Sequence, residues 1–110
     1  MVSGRGRNYR HGYNFEVRVF FYFRKLGYFT VRSSGSHGPA DVMAVRKGQV
    51  LAIQCKTNGY LPKEEKKELL DLTKYGAIPI LASRKGRKLF LKDLRDGSDF
   101  LPKAKPAHKK

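Results

Sequence analysis

One carboxylate, one amide and one ammonium group can share a face of a hairpin in the middle of this chain. Lys47-Gly48 suits a two-residue turn between two strand-like segments. Continuing the register of such a turn outward places Asp41 directly opposite Gln54, and directly opposed residues point to the same face. Lys56 lies two residues beyond Gln54, so its side chain points to that face as well.

These groups suit the metal-assisted hydrolysis of a phosphodiester. A hard cation polarises the phosphate and lowers the pKa of the attacking water, and it prefers oxygen ligands. Asp41 and Gln54 both offer oxygen, and Glu16 adds a second carboxylate if the helix that carries it packs over the hairpin. Lys56 can orient or deprotonate the water, or stabilise charge on the phosphate. Each residue also has an ordinary structural interpretation: an Asp at a strand start, a Gln that hydrogen-bonds across a hairpin, and a solvated Lys.

The distribution of charge favours a polyanionic partner. The 110 residues carry a formal net charge of +15, and residues 1–62 contain ten basic side chains but only two acids, Glu16 and Asp41. Such an excess opposes compaction by self-repulsion, so it usually serves a partner such as nucleic acid, with an anionic membrane surface as the second candidate. Two acids retained in a phosphate-binding half indicate metal ligation, with a structural role as the alternative.

Several classes of protein are disfavoured by what the sequence contains. Cys55 is the only cysteine, so no intrachain disulfide can form, which agrees with a reducing compartment. We find no apolar run of membrane-spanning length and no signal-peptide block at the N-terminus. Nucleotide-binding loops and zinc patterns are also missing from the sequence. We therefore expect an intracellular protein with neither a membrane partner nor a small-molecule substrate.

Hydrophobic spacing predicts the elements that must position these groups. A helix is predicted over residues 10–26 and ended by Gly27, although alternation over residues 13–19 leaves a strand as the alternative. A second helix is predicted over 62–75, and strands over 28–32, 41–46, 49–56, 77–83 and 88–91. Pro79 suggests an edge position or a bulge for its strand. The order αβββαββ predicts an α/β domain with a mixed central sheet flanked by helices.

The remaining segments are assigned by composition. Residues 1–9 are predicted to form a basic mobile arm, residues 10–100 the folded domain, and residues 101–110 a tail rich in Pro and Lys. The Lys-Glu run at 63–68 is interpreted as a solvated helix face. Cys55 is predicted to point into the core.

The order of these motifs resembles one branch of the restriction-endonuclease-like nucleases. Asp41 followed by Gln54-Cys55-Lys56 resembles the D…(E/Q)xK signature of that superfamily. The archaeal-type Holliday junction resolvases have further motifs, and this chain shows similar ones in the same order over roughly residues 10–92. They are Glu16, Gly27-Tyr28, Arg32, Gly35-Ser36, Asp41-Val42, Gln54-Cys55-Lys56 and the stretch 76–80.

The resemblance implies a role for each matching residue. Mg²⁺, with Mn²⁺ able to substitute, would lie among Glu16, Asp41 and Gln54. Lys56 would assist at the attacking water and Ser36 would touch the scissile phosphate. We expect the DNA to be contacted by Arg7, Arg10, Arg32 and Ser34. The superfamily usually has Glu where this chain has Gln54, so one negative charge is missing, and the number of metals stays open.

The resemblance implies a structure-selective endonuclease that resolves four-way DNA junctions. A junction has near two-fold symmetry and needs two cuts, so a homodimer with one active site per subunit suits it. Recognition of branched double-stranded DNA would rest on shape and phosphate. Two alternatives stay open. One is a nuclease of the same fold with another DNA substrate, and the other is a basic nucleic-acid-binding module without catalysis, in which Asp41 and Glu16 are structural.

Overall fold

A mixed sheet lies between two helices. The computed structural model describes residues 3–33 and 38–103, with side chains from Asn14 onward in those ranges. Within them the elements are α1 (Ser3–Lys25), β1 (Phe29–Arg32), β2 (Val42–Arg46), β3 (Gln49–Cys55), α2 (Lys63–Asp71), a 3₁₀ turn (Leu72–Tyr75), β4 (Ala77–Lys85), β5 (Lys88–Asp93) and β6 (Ser98–Asp99). The predicted α/β class and element order are confirmed, with β6 as an additional short strand.

One crossover makes the sheet mixed. The six strands lie side by side in chain order, and every neighbouring pair is antiparallel except β3 and β4. Parallel neighbours require a long connection, which α2 and the 3₁₀ turn supply. Pro62 precedes α2 with φ of −57°, a value that suits the entry to a helix. Gly76 ends the 3₁₀ turn with φ of +89°, where a side chain would be strained, and leads the chain into β4.

Each face of the sheet has its own hydrophobic cluster. The cluster under α1 includes the buried side chains of Phe15, Val19, Phe23, Leu51 and Ile53. The cluster under α2 is smaller and contains Ala52, Leu69 and Ala77. Successive residues of β3 thus face opposite clusters, as the alternation of a strand requires. Burial of each large side chain contributes about 1.5–3 kcal/mol, so β3, which is covered on both faces, stabilises the centre of the fold.

The first helix begins earlier than its apolar spacing predicts. The prediction places its start at Arg10 after an arm of residues 1–9, whereas α1 begins at Ser3. The apolar pattern shows only which part of a helix packs on a core, and no proline interrupts residues 3–25. Residues 3–9 therefore belong to α1, and the strand alternative for the following segment is wrong. Across the part of the chain that the structure describes, no helix is long and apolar enough to cross a membrane.

Pro79 lies inside the sheet, so the edge position predicted from it is wrong. Its strand β4 is flanked by β3 and β5, and Pro79 pairs with Ala52 of β3. On the other side the ladder to β5 begins one residue later, with Ile80 opposite Asp93. There the N–H of Leu94 donates to the Pro79 carbonyl (2.9 Å). Proline thus acts only as an acceptor at a position where β5 has ended, and its missing N–H interrupts no strand pair.

Candidate active site

The predicted hairpin register is confirmed along β2 and β3. The strands pair from Arg46–Gln49 beside the turn out to Val42–Ile53. Gly48 in the turn has φ of +74°, a conformation that glycine adopts without strain. The two-residue turn therefore brings the start of β2 to the end of β3, where the candidate site residues lie.

The ladder stops one pair before the predicted site, so Asp41 and Gln54 are not a paired couple. The N–H of Asp41 donates to the carbonyl of Ile53 (2.8 Å). Its Oδ2 accepts a hydrogen bond from the N–H of Cys55 (2.9 Å). The short side chain of Asp competes with regular backbone pairing in this way. The carboxylate is consequently held at the end of β3 by its own hydrogen bond instead of by the strand ladder.

A polar cavity lies where the end of β3 meets both helices. Its volume is about 440 Å³ and its lining residues are Glu16, Gly38, Pro39, Asp41, Gln54, Cys55, Lys56, Glu65 and Glu68. Four separate parts of the chain contribute polar groups: α1, the segment before β2, the end of β3 and α2. The cavity thus brings together four of the five residues assigned to catalysis, Glu16, Asp41, Gln54 and Lys56.

Of the residues assigned to the DNA, Arg32 lies beside this cavity. Its Nε is 3.9 Å from Glu16 Oε1, and both side chains are about three-quarters buried (27% and 25% exposed). The assigned residues Ser34 and Ser36 lie outside the described residues. Arg7 and Arg10 lie on α1, and their side chains are also outside the description.

The two carboxylates of the predicted metal site hold their protons more tightly than they would in water. Burial raises the pKa of Glu16, the Asp41 carboxylate raises it further, and Arg32 opposes the change. Burial also raises the pKa of Asp41, against the N–H of Cys55 and the Lys56 ammonium, which lower it. Negative charge in this half-buried space is therefore unfavourable without a cation, and a bound divalent ion would reverse the effect.

The donor set fits a hard divalent cation. Glu16 and Asp41 offer carboxylates and Gln54 an amide oxygen around the same cavity. Mg²⁺ typically takes one or two carboxylates and completes its shell with waters and phosphate oxygens. Within residues 3–33 and 38–103, no three His, Cys, Asp or Glu side chains form a group that could hold an ion. A cation here would therefore draw on Gln54, water or substrate oxygen as well as the two carboxylates.

Cys55 packs into the core, as predicted. It contacts the cluster under α1. Burial raises the pKa of its thiol strongly, and the nearby carboxylates of Asp41 and Glu16 raise it further. The thiol therefore stays protonated and does not serve as a nucleophile. Its contribution to the site is the backbone N–H that holds Asp41.

Two residues of α2 line the cavity, and no motif in the sequence predicts either of them as a site residue. Glu65 Oε1 lies 3.0 Å from Lys56 Nζ, and Glu68 lines the cavity three residues later. The interpretation of 63–68 as a solvated face is confirmed for all of its residues except Glu65, which is half-buried beside Lys56. The spacing of Glu65 and Glu68 does place them on one helix face. Which face meets the sheet depends on how α2 docks, and the local sequence does not specify that.

Comparison with known proteins identifies the family. The family profile described as archaeal Holliday junction resolvase (Hjc) matches residues 7–100. The crossover junction endodeoxyribonuclease Hjc of Methanocaldococcus jannaschii is 37% identical in an alignment 89 residues long that covers 76% of this chain and 66% of that protein. The matched region thus spans slightly less than two thirds of this relative. The solved structure of Hjc from Archaeoglobus fulgidus, a Holliday junction resolvase, aligns with a TM-score of 0.66 at 24% identity, over 77% of this chain and 74% of the other. Since the family match covers most of its length, this chain belongs to the family of archaeal Holliday junction resolvases.

Proposed function

We propose that this protein is a divalent-metal-dependent endonuclease that resolves four-way DNA junctions. The observation that carries the proposal is the convergence of Glu16, Asp41, Gln54 and Lys56 on one cavity in a chain of this family. Resolution of such junctions is a step of DNA recombination and repair, so we infer that the protein works inside the cell on its DNA.

Each residue of the cavity has a proposed part in the reaction. Glu16, Asp41 and Gln54 would hold the cation, which supplies Lewis acidity to the phosphate and acidifies bound water. Lys56 directs its ammonium at the attacking water or at a phosphate oxygen and stabilises the charge that develops there. The Cys55 N–H keeps the Asp41 carboxylate in place throughout. Mg²⁺ is the proposed ion, and Mn²⁺ can replace it because both accept oxygen ligands. A role for Ser36 at the scissile phosphate rests on the motif order alone.

DNA binding is proposed to rest on phosphate contacts. The net charge of +15 and the position of Arg32 beside the cavity support this. Arg7, Arg10 and Ser34 are proposed as further contacts to the DNA backbone. If about six phosphates are neutralised, log K for the junction should fall with a slope near −5 against log salt concentration. A flat salt response would remove the electrostatic premise.

An exposed apolar patch on β1 and β2 supports a homodimer. Phe29 is 71% exposed, Val31 43% and Val45 39%, and Phe29 pairs directly with Val45. Thr30, which alternates with Phe29 and Val31, is buried, so the patch lies on the sheet face away from α1. Exposed apolar patches mark interaction sites, and two copies of so basic a chain would meet best where charge is absent. Analytical ultracentrifugation should find a dimer that Phe29→Glu converts to monomer; a monomeric unmodified protein would contradict it.

A cleavage assay tests the proposed activity. Synthetic four-way junction and linear duplex of the same sequence are incubated with the protein, with Mg²⁺ or with a chelator. We expect cuts in the junction alone and only with the metal. Equal cutting of the duplex would favour a nuclease with another substrate. Metal-independent binding without any cut would favour a non-catalytic binding module.

A further inference from the structure

We propose that Glu65 is a positioning residue that holds the Lys56 ammonium in the active-site cavity. This inference rests on the proposed function, because it concerns the reaction in that cavity. The two residues come from different elements, β3 and α2, and the family signature that ends at Lys56 does not include the helix that follows. Glu65 therefore connects the reactive end of the sheet to α2.

The contact is direct. Glu65 Oε1 lies 3.0 Å from Lys56 Nζ, and both residues line the cavity that contains Asp41 and Gln54. The backbone of Lys56 is fixed independently, since its N–H donates to the carbonyl of Ala82 on β4 (2.9 Å). The four-carbon stem beyond that backbone has several rotatable bonds, so the ammonium needs a partner to occupy one place. Glu65 supplies that partner.

The Lys56–Glu65 ion pair fixes the position of the ammonium but adds little to the stability of the fold. The side chains are 29% and 46% exposed, and ion pairs at such positions add little to stability. Glu64 provides a matched comparison, because it occupies the same first turn of α2, has the same charge and is exposed to solvent. Any effect of charge near the helix N-terminus is shared by both residues. An effect specific to Glu65 must arise from its position in the cavity.

Three variants test the role in cleavage: Glu65→Ala, Glu65→Gln and the control Glu64→Ala. Single-turnover cleavage of the junction is measured at saturating Mg²⁺, together with the Mg²⁺ concentration for half-maximal rate. We expect Glu65→Ala to lower the rate about tenfold, a part of the contribution typical of proton-transfer groups. The half-maximal Mg²⁺ concentration should not change. Glu65→Gln retains an oxygen acceptor for the ammonium and should recover most of the rate, and Glu64→Ala should leave it unchanged.

A second measurement needs neither metal nor DNA. The metal-free protein is labelled briefly with acetic anhydride, and acetylation of each lysine is followed by peptide mass spectrometry. Release from the ion pair should increase labelling of Lys56 in Glu65→Ala, whereas labelling of Lys63 on α2 should stay constant. Thermal melts of all variants verify that each is folded.

The outcomes separate this inference from the proposed function. An unmodified protein that cuts no junction overturns the proposed function and with it the role of Glu65 in cleavage, whereas acetylation of Lys56 still tests whether Glu65 holds the ammonium. If the unmodified protein cuts and Glu65→Ala cuts equally well, only the positioning role is overturned. A raised Mg²⁺ requirement in Glu65→Ala would show a metal ligand instead, and an equal loss in Glu64→Ala would show a general charge effect. Unchanged acetylation of Lys56 would show that Glu65 does not hold the ammonium.

Discussion

The two ends of the β2–β3 hairpin use similar residues for opposite purposes. At the closed end, Arg46 Nη1 donates to the carbonyls of Leu26 (2.9 Å) and Lys103 (2.8 Å). Gln49 Oε1 accepts a hydrogen bond from the Tyr28 hydroxyl (2.5 Å). The Tyr28 oxygen in turn accepts from the N–H of Lys103 (3.0 Å). Polar groups at this end form hydrogen bonds with one another, and these bonds connect the end of α1, the sheet and the C-terminal segment.

The open end gathers charged and polar groups around the cavity. Glu16 and Asp41 stand near each other with raised pKa values, beside Gln54 and Lys56. A structure selected only for stability would avoid such a concentration of half-buried acids. The same strand therefore carries one glutamine that closes a hydrogen-bond network and one that lines a cavity. Their position in the fold, and not their residue type, distinguishes them.

Asp41→Asn should produce the largest loss of cleavage activity, and it should leave the contacts at the closed end of the hairpin unchanged. Because Asp41 is a proposed metal ligand and metal catalysis supplies several kcal/mol, its loss should lower the single-turnover rate of junction cleavage at least about 100-fold. Junction binding in gel-shift assays should stay constant or tighten, because a charge that repels phosphate is removed. The closed-end variant Gln49→Leu should cut at the normal rate below its melting temperature. Cleavage by Asp41→Asn near the unmodified rate would remove Asp41 from the site.

Variants of Gln54 should change the Mg²⁺ concentration needed for cleavage, whereas a variant of Gln49 should change thermal stability. Gln54→Glu adds a carboxylate, which hard cations prefer to an amide, and should lower the Mg²⁺ concentration for half-maximal cleavage. Gln54→Leu removes the oxygen and should raise that concentration or abolish cleavage. Gln49→Leu should lower Tm without changing the Mg²⁺ titration. If both Gln54 variants titrate like the unmodified protein, Gln54 is not a ligand.

Tyr28→Phe should weaken only the closed end. The hydroxyl both donates to Gln49 and accepts from Lys103, and its removal should cost about 1 kcal/mol of stability, or roughly 4–8 °C in Tm. Cleavage well below the new Tm should be unchanged, because the hydroxyl lies at the end of the hairpin opposite the cavity. Calorimetry and the cleavage assay check the two halves of this expectation. A loss of activity without a loss of Tm would contradict it.

In the stability of the metal-free protein, Glu16→Gln should produce the smallest change expected here, a slight gain at neutral pH. The raised pKa of Glu16 means that the folded state binds its proton more tightly than the unfolded chain does. Stability linked to this carboxyl is complete below its unfolded pKa and is lost as the pH rises through the raised value. The variant should therefore melt slightly higher at neutral pH, with no advantage below about pH 4. The exposed Glu64→Gln is the control, and a lower Tm for Glu16→Gln at neutral pH would contradict the argument.

Local sequence patterns predict most of the helices and strands. They fail at positions whose structure is determined by contacts between distant parts of the chain. The turn at Lys47-Gly48 set the register because a two-residue loop leaves the strands no choice. The near-continuous apolar run of β3 likewise indicates burial on both faces. Pro79 was misplaced because its tolerance depends on where the neighbouring strand β5 ends. The start of α1 was misplaced because its first residues carry no apolar pattern.

The candidate site shows the same division. Glu16, Asp41, Gln54 and Lys56 could be selected from acid depletion, register and motif order, and the structure brings them together. The sequence does not predict that Asp41 and Gln54 are unpaired in the structure. The Asp41 side chain accepts a hydrogen bond from the Cys55 N–H, and the β2–β3 pairing ends one pair earlier. Glu65 is not predicted from the sequence, because it reaches the cavity only when α2 docks on the sheet.

The parallel pairing of β3 with β4 also bears on the order in which this molecule folds. The hairpin that holds Asp41 and Gln54 closes through a two-residue loop, whereas β4 joins β3 only across the much longer connection that contains α2. Contacts between distant parts of a chain form slowly, since the loop entropy must be lost first. Because α2 lies in that connection, we expect α2 to dock on the sheet, and Glu65 to reach Lys56, after the hairpin has formed. A nascent chain would then bring together the proposed cation ligands of the hairpin before Glu65 could position the Lys56 ammonium.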